Sequence, residues 1–167
     1  MIVFKKIIAT LQKEETENKK PVVKWQKAEE ILAKQKEQKA AQITPERITF
    51  LDDNEIFVFG TDAEGTHSYG ASRFAAKNFG AVEGRREGIQ GHSYAIPSDL
   101  IEPKDIKPYI DRFVAFAKRY PNKTFLVTPI GCGASGYTPK EIAPLFAEAA
   151  ELKNVCLPES FWECLNQ

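Results

Sequence analysis

Cysteine is scarce in this chain: Cys132, Cys156 and Cys164 are odd in number and form no CxxC pair. That argues against the disulfide framework of a small secreted protein and suits a reducing, cytoplasmic setting. Charge of one sign is also lacking. The 23 Lys+Arg balance the 23 Asp+Glu, so no overall field favours DNA, RNA or an anionic membrane as partner. No apolar run approaches the roughly 20 residues that span a bilayer. The opening MIVFKKIIATLQKEE has lysines inside its apolar run and no small-residue cleavage site, so it does not read as a signal peptide. No GxxxxGK[ST] occurs, which argues against a P-loop NTPase, and no clean GxGxxG occurs either. His67, His92 and Cys132 lack any spacing that would make them a zinc site, and no metal or cofactor is expected.

What is present is enough for one α/β domain with an appendage: 167 residues, 43% of them apolar. Residues 1–42 contain no glycine and a single proline, Pro21, and are rich in Lys, Glu and Gln. They predict a charged, helical N-terminal extension. Phe4, Ile7, Ile8 and Leu11 recur at helical spacing in the first arm, although residues 2–4 also suit an edge strand. Trp25, Ala28, Ile31 or Leu32 and Gln35 give the second arm a thin stripe. Such an extension either docks a partner or a second copy of the chain, or is a loosely packed appendage. The domain proper is placed at residues 43–167, with a short strand expected over 48–50.

Residues 56–80, IFVFGTDAEGTHSYGASRFAAKNFG, read as a buried strand, a glycine-punctuated loop and a helix lined with small residues. A polar loop follows over 80–92. Arg85 and Arg86 there are either phosphate ligands or solvated side chains. A strand is expected over 93–96. Ile106, Ile110, Phe113, Val114, Ala117 and Tyr120 predict an amphipathic helix over 105–120, with Asp105 as N-cap. Residues 124–130, TFLVTPI, read as a second buried strand. A second glycine loop, 131–137, leads into Thr138-Pro139-Lys140-Glu141, a capping box with proline at N1. Pro144 is expected to kink the helix that follows. A last strand over 154–157 and a terminal helix carrying Phe161, Trp162 and Leu165 complete the chain. In an open α/β sheet, two strand–glycine loop–helix units tend to line one crevice, where backbone N–H groups grip a diphosphate.

The segments FGTDAEGTHSYGASRFAAKNFGA, GIQGHSYAIP, VTPIGCGASGYTPKEIAPLF and NVCLP, in that order across residues 55–165, resemble the macro-domain superfamily, and more closely small bacterial and phage macro-like proteins. The resemblance implies a three-layer α/β fold with a mixed sheet sandwiched by helices. It implies ADP-ribose, a related NAD-derived nucleotide or an ADP-ribosylated substrate as partner. Under it, Gly131, Cys132, Gly133, Ala134, Ser135, Gly136 and Tyr137 wrap the diphosphate, with the aromatic on the distal ribose. Gly60, Thr61, Gly65, Gly70 and Ala71 form the opposite wall. The chain departs from its close relatives at Thr61-Asp62, where Ser-Asn is expected, and at Ser68-Tyr69, where small residues are expected.

Hydrolysis of an ADP-ribosyl bond needs an acid or base near the distal ribose, and Asp62 and His67 are the candidates. His67 has an alternative role as a donor that shapes the loop. Cys132 is either a thiolate exposed at a helix N-terminus or a small side chain in a crowded turn. Tyr69 is either a ribose or base platform or ordinary packing. Two functions stay open: a binder of ADP-ribose or a related NAD-derived nucleotide, with or without hydrolysis of an ADP-ribosyl bond, and a non-catalytic scaffold that self-associates through residues 1–42.

Overall fold

The computed structural model of the protein describes residues 24–167. The first expected arm, with Phe4, Ile7, Ile8, Leu11 and Pro21, lies outside the described residues, as does the Trp25 side chain. Helix α1, Lys24–Ala40, covers the second arm. Its stripe is as thin as the sequence suggests: Ala28 is fully buried on Phe50, with Ile31 and Leu32 half-buried beside them. The chain leaves α1 through Gln42, which takes a left-handed φ of 57°. That conformation is unusual for a residue with a Cβ, and Gln42 is fixed by its surroundings. Its side-chain amide donates to the carbonyls of Leu152 and Val155, while its own carbonyl accepts from the Leu157 N–H and the Trp162 indole. Ile43 then forms a single parallel bridge with Leu157.

Strand β1, Glu55–Thr61, is buried on both faces, as its unbroken apolar run requires. It is the centre of a five-stranded sheet together with β2 (Gly88–Gln90), β3 (Ser93–Pro97), β4 (Thr124–Val127) and β5 (Val155–Cys156), in the order β2-β3-β1-β4-β5. Val58 aligns with Tyr94 of β3 and Val127 of β4, both parallel. β4 and β5 are also parallel, and β2 alone runs antiparallel, on β3. The protein is thus α/β with a mixed sheet.

Alternate residues of β1 serve two cores. Ile56 and Val58 join Phe113 of helix α3 (Lys107–Arg119), Ile142 of α4 (Pro139–Ile142), Ala149 of α5 (Ala147–Ala150) and Phe161 of α6 (Glu159–Leu165). On the other face Phe57 and Phe59 pack with Ala75 of helix α2, Gly70–Asn78, and with Ile48 and Leu51.

Three local expectations are corrected. Residues 48–50 form no strand: Ile48 and Leu51 cover one face of the sheet, and Phe50 holds α1, so this apolar alternation is spent on burial without ladder pairing. Asp105 is not the N-cap of α3. It sits in a 3₁₀ turn, Pro103–Ile106, where its carboxylate accepts from the Glu102 N–H at 3.2 Å. Pro108 has no N–H to give the Lys104 carbonyl, which instead accepts from Lys107, three residues on. Finally, the loop over 80–92 is ordered by β2 and by buried Gln90, whose side chain accepts from the Val82 N–H at 2.6 Å and donates to the Arg85 carbonyl at 2.8 Å. The helix expected after Thr138 is broken where Pro144 stands, with a 3₁₀ turn, Ala143–Phe146, between α4 and α5.

Candidate functional site

From β1 the chain crosses through α2 to β3 on one side. From β4 it runs through residues 131–150 to β5 on the other. The strand order therefore reverses between β1 and β4, and a crevice opens beyond their carboxyl ends, the usual place for a ligand in an open α/β sheet. A slot of about 130 Å³ lies there. Of the residues expected at the site, Gly60, Thr61, Asp62, Gly70 and Ala71 form one wall, and Gly131, Gly133, Ala134 and Ser135 the other.

The first wall is clamped from behind. The Thr61 hydroxyl donates to the Arg86 carbonyl at 2.7 Å, and the Gly84 N–H to the Gly65 carbonyl at 3.0 Å. Gly65, at φ +74°, lies so close to residues 84–86 that a Cβ would stand 2.7 Å from the Arg86 nitrogen. It is a packing glycine and does not line the slot. Asp62 does line it, half-buried, with Oδ1 accepting from the Thr66 N–H at 2.7 Å. One carboxylate oxygen thus closes the loop. At Gly60 a Cβ would fall 2.4 Å from the Ser98 Oγ, so glycine admits the Ser98 hydroxyl from β3's end.

His67 stands apart from the slot. It is 5% exposed, meets Phe59 edge-on at 5.5 Å, and its ring nitrogens have no hydrogen-bond partner among the described residues. Its backbone N–H donates to the Glu83 carboxylate at 3.0 Å. The ring therefore acts by packing on Phe59 and not as the loop-shaping donor expected, and its burial gives no path to a reacting atom. Arg85 and Arg86 donate to the carbonyls of Ile89 and Ala63, and neither lines the slot.

The second wall is a bare backbone turn. The Gly136 N–H donates to the Gly133 carbonyl and the Tyr137 N–H to the Gly131 carbonyl, both at 3.0 Å. The N–H groups of Gly133, Ala134 and Ser135 have no backbone acceptor among the described residues. Opposite them, the first N–H groups of α2 lack intrahelical acceptors, and its N-cap Tyr69 supplies no side-chain cap. The loop's other members serve as its support. Tyr137 donates its hydroxyl to the Leu100 carbonyl and packs on Gly131, where a Cβ would meet its ring at 3.2 Å. Burial, then Asp99 and further carboxylates, push its phenol above the ordinary range. Cys132 is half-buried against the core, and burial first, then Glu141 and Cys164, push its thiol up to about 11. Burial thus works against the thiolate that a nucleophile needs. Neither Cys132, Gly136 nor Tyr137 lines the slot.

Sequence reasoning missed a third wall, Ser98 and Asp99, along with Thr128 and Pro129 in the floor. The signal was available. β3 was read as a strand, and the residues beyond its carboxyl end, parallel to β1, must reach the same crevice. No lysine or arginine lines the slot, while Asp62 and Asp99 do. An anion here would be held without a cation, by backbone N–H groups, the positive end of α2 and lining hydroxyls such as Ser98 and Ser135, with ligand hydroxyls free to donate to the carboxylates. No group of His, Cys, Asp and Glu among the described residues is placed to hold a metal ion. Nor is any described helix long and apolar enough to cross a membrane. No protein-family model, curated protein or solved structure matches the chain.

Proposed function

We propose that the slot binds the diphosphate and adjoining ribose of ADP-ribose or a related NAD-derived nucleotide, on a fold of the macro-domain kind. The observation that carries this reading is the meeting of both glycine loops at the reversal of strand order, each presenting backbone N–H groups and no cation. Such a surface binds a diphosphate by directed hydrogen bonds and does not select for bulk negative charge. The two carboxylates at its edges match a ligand that also carries hydroxyls. The motif resemblance across residues 55–165 supports the same ligand class and the three-layer architecture.

Binding is the function proposed. Hydrolysis of an ADP-ribosyl bond would fall to the carboxylates lining the slot, Asp62 or Asp99, and not to His67. A thermal-shift panel of NAD metabolites tests the binding. With ADP-ribose at a hundredfold excess over Kd, stabilisation is about 2.7 kcal/mol, or about 5–11 °C in Tm for a chain of this size. An unchanged Tm at millimolar ADP-ribose sinks the proposal. Asp62→Asn keeps an acceptor for the Thr66 N–H and removes the charge. Lost turnover with retained binding in that variant would identify Asp62 as a base.

A further inference from the structure

The slot is too small for the whole ligand. At about 130 Å³ it falls below the ~300–1,000 Å³ of pockets that bury a drug-sized molecule. Beside it lies a second compartment of about 940 Å³, and the two share Gly70, Ala71, Thr128 and Pro129 as lining residues. The far wall of that compartment comes from the N-terminal extension and the segment after it, Lys34 and Gln38 of α1 and residues 43–49, together with Ser160 at the start of α6.

We infer that helix α1 belongs to the ligand site, walling a compartment that takes the nucleobase end of a nucleotide whose diphosphate lies in the slot. The inference rests on the binding proposed above. The shared lining at the α2 N-terminus is the first support, because a nucleotide whose diphosphate lies in the slot is long enough to reach past Gly70 and Ala71 into the neighbouring compartment. The chemistry of the wall is the second. Phe57 and Phe74 line it, Phe74 being 38% exposed, which offers aromatic surface to a planar ring. Gln38 and Asn78 bring side-chain amides, able to donate and accept along a base edge. Thr49 also lines the wall.

Helix α1 is held in place by Ala28 on Phe50 and by the Gln42 bonds to Leu152 and Val155, so the wall is attached to the body of the domain. Its Lys- and Gln-rich end then has a use: Lys34 and Gln38 lie one turn apart on one face, toward the compartment.

Calorimetric titration of ADP-ribose into the full chain tests the inference, with far-UV circular dichroism verifying that each variant is folded. Ser160→Trp fills the compartment from the α6 side. Lys34→Ala with Gln38→Ala strips the α1 wall at side chains that no core residue needs. Gly133→Val obstructs the slot at a position where a Cβ meets nothing within 4 Å. The expected result is a tenfold or greater rise in Kd for the Ser160 variant and for the α1 double variant. If ADP-ribose binds the wild type and the α1 double variant equally, the inference is overturned, whatever Ser160→Trp does. In that case loss of binding in Gly133→Val leaves the slot reading standing. If the wild type binds no ADP-ribose, the slot reading falls and takes the inference with it.

Discussion

Single residues divide into those that face the slot and those that brace its walls, and the division follows what each side chain touches. Cys132 shows it most plainly. Flanked by Gly131 and Gly133 it has the sequence context of an exposed thiolate, yet it points its sulfur at the Ile130 carbonyl, 3.6 Å away, and packs on the core. With its thiol pushed up to about 11, alkylation by iodoacetamide at pH 8, followed by mass spectrometry, is expected to be far slower at Cys132 than for an ordinary exposed thiol. The rate should climb only as the pH nears 11. Rapid labelling at pH 8 would mean that the loop opens and would revive Cys132 as a reactive group. His67 and Tyr137 belong to the same bracing class. Both were chosen from residue type and neighbourhood in sequence, and neither signal encodes which way a side chain turns out of a loop.

Elements were more legible than orientations. β1 was readable because an unbroken apolar run between polar turns has few other uses, and α4 because proline at N1 coincides with a glutamate at N3. The Glu141 carboxylate accepts from the Thr138 N–H and hydroxyl, each at 2.8 Å, and these bonds hold it below the usual carboxylate range. Residues 48–50 form no strand because period-two apolar spacing serves a strap over a sheet as well as a strand within it. β2 escaped notice because three residues carry too little pattern to separate from a loop. Of the small residues of α2, Ala75 is fully buried against the sheet and Ala71 half-buried, while Ala76 faces out. Ala75→Leu should therefore overpack the interface and cost about 1–3 kcal/mol, measured by urea unfolding. Wild-type stability would show that α2 stands farther from β1 than its packing on Phe57 and Phe59 requires.

For the molecule as a whole, topology places the candidate site. Neither glycine loop is a recognised phosphate motif alone, and their pairing depends on β1 and β4 being neighbours at the reversal of strand order, a non-local fact. The same core sets the response to alkali. Burial first and then the Glu87 carboxylate, opposed by Arg112, push the Tyr94 phenol up to about 12, while Cys132 stands at about 11. Each keeps its proton longer folded than unfolded, so above about pH 9 the unfolded state binds fewer protons. Stability should fall as pH rises from about 9 through 12, read from denaturation midpoints across that range. A flat profile would show that neither group is shielded.

The most direct test of the site is an amide-resolved NMR titration of ¹⁵N-labelled full-length protein with ADP-ribose. The result expected is that the backbone N–H signals of Gly133, Ala134 and Ser135, together with Gly70 and Ala71 at the start of α2, move first and most. Signals that stay still at millimolar ligand, or shifts confined to surfaces away from the carboxyl ends of β1 and β4, would contradict a diphosphate slot between the two loops.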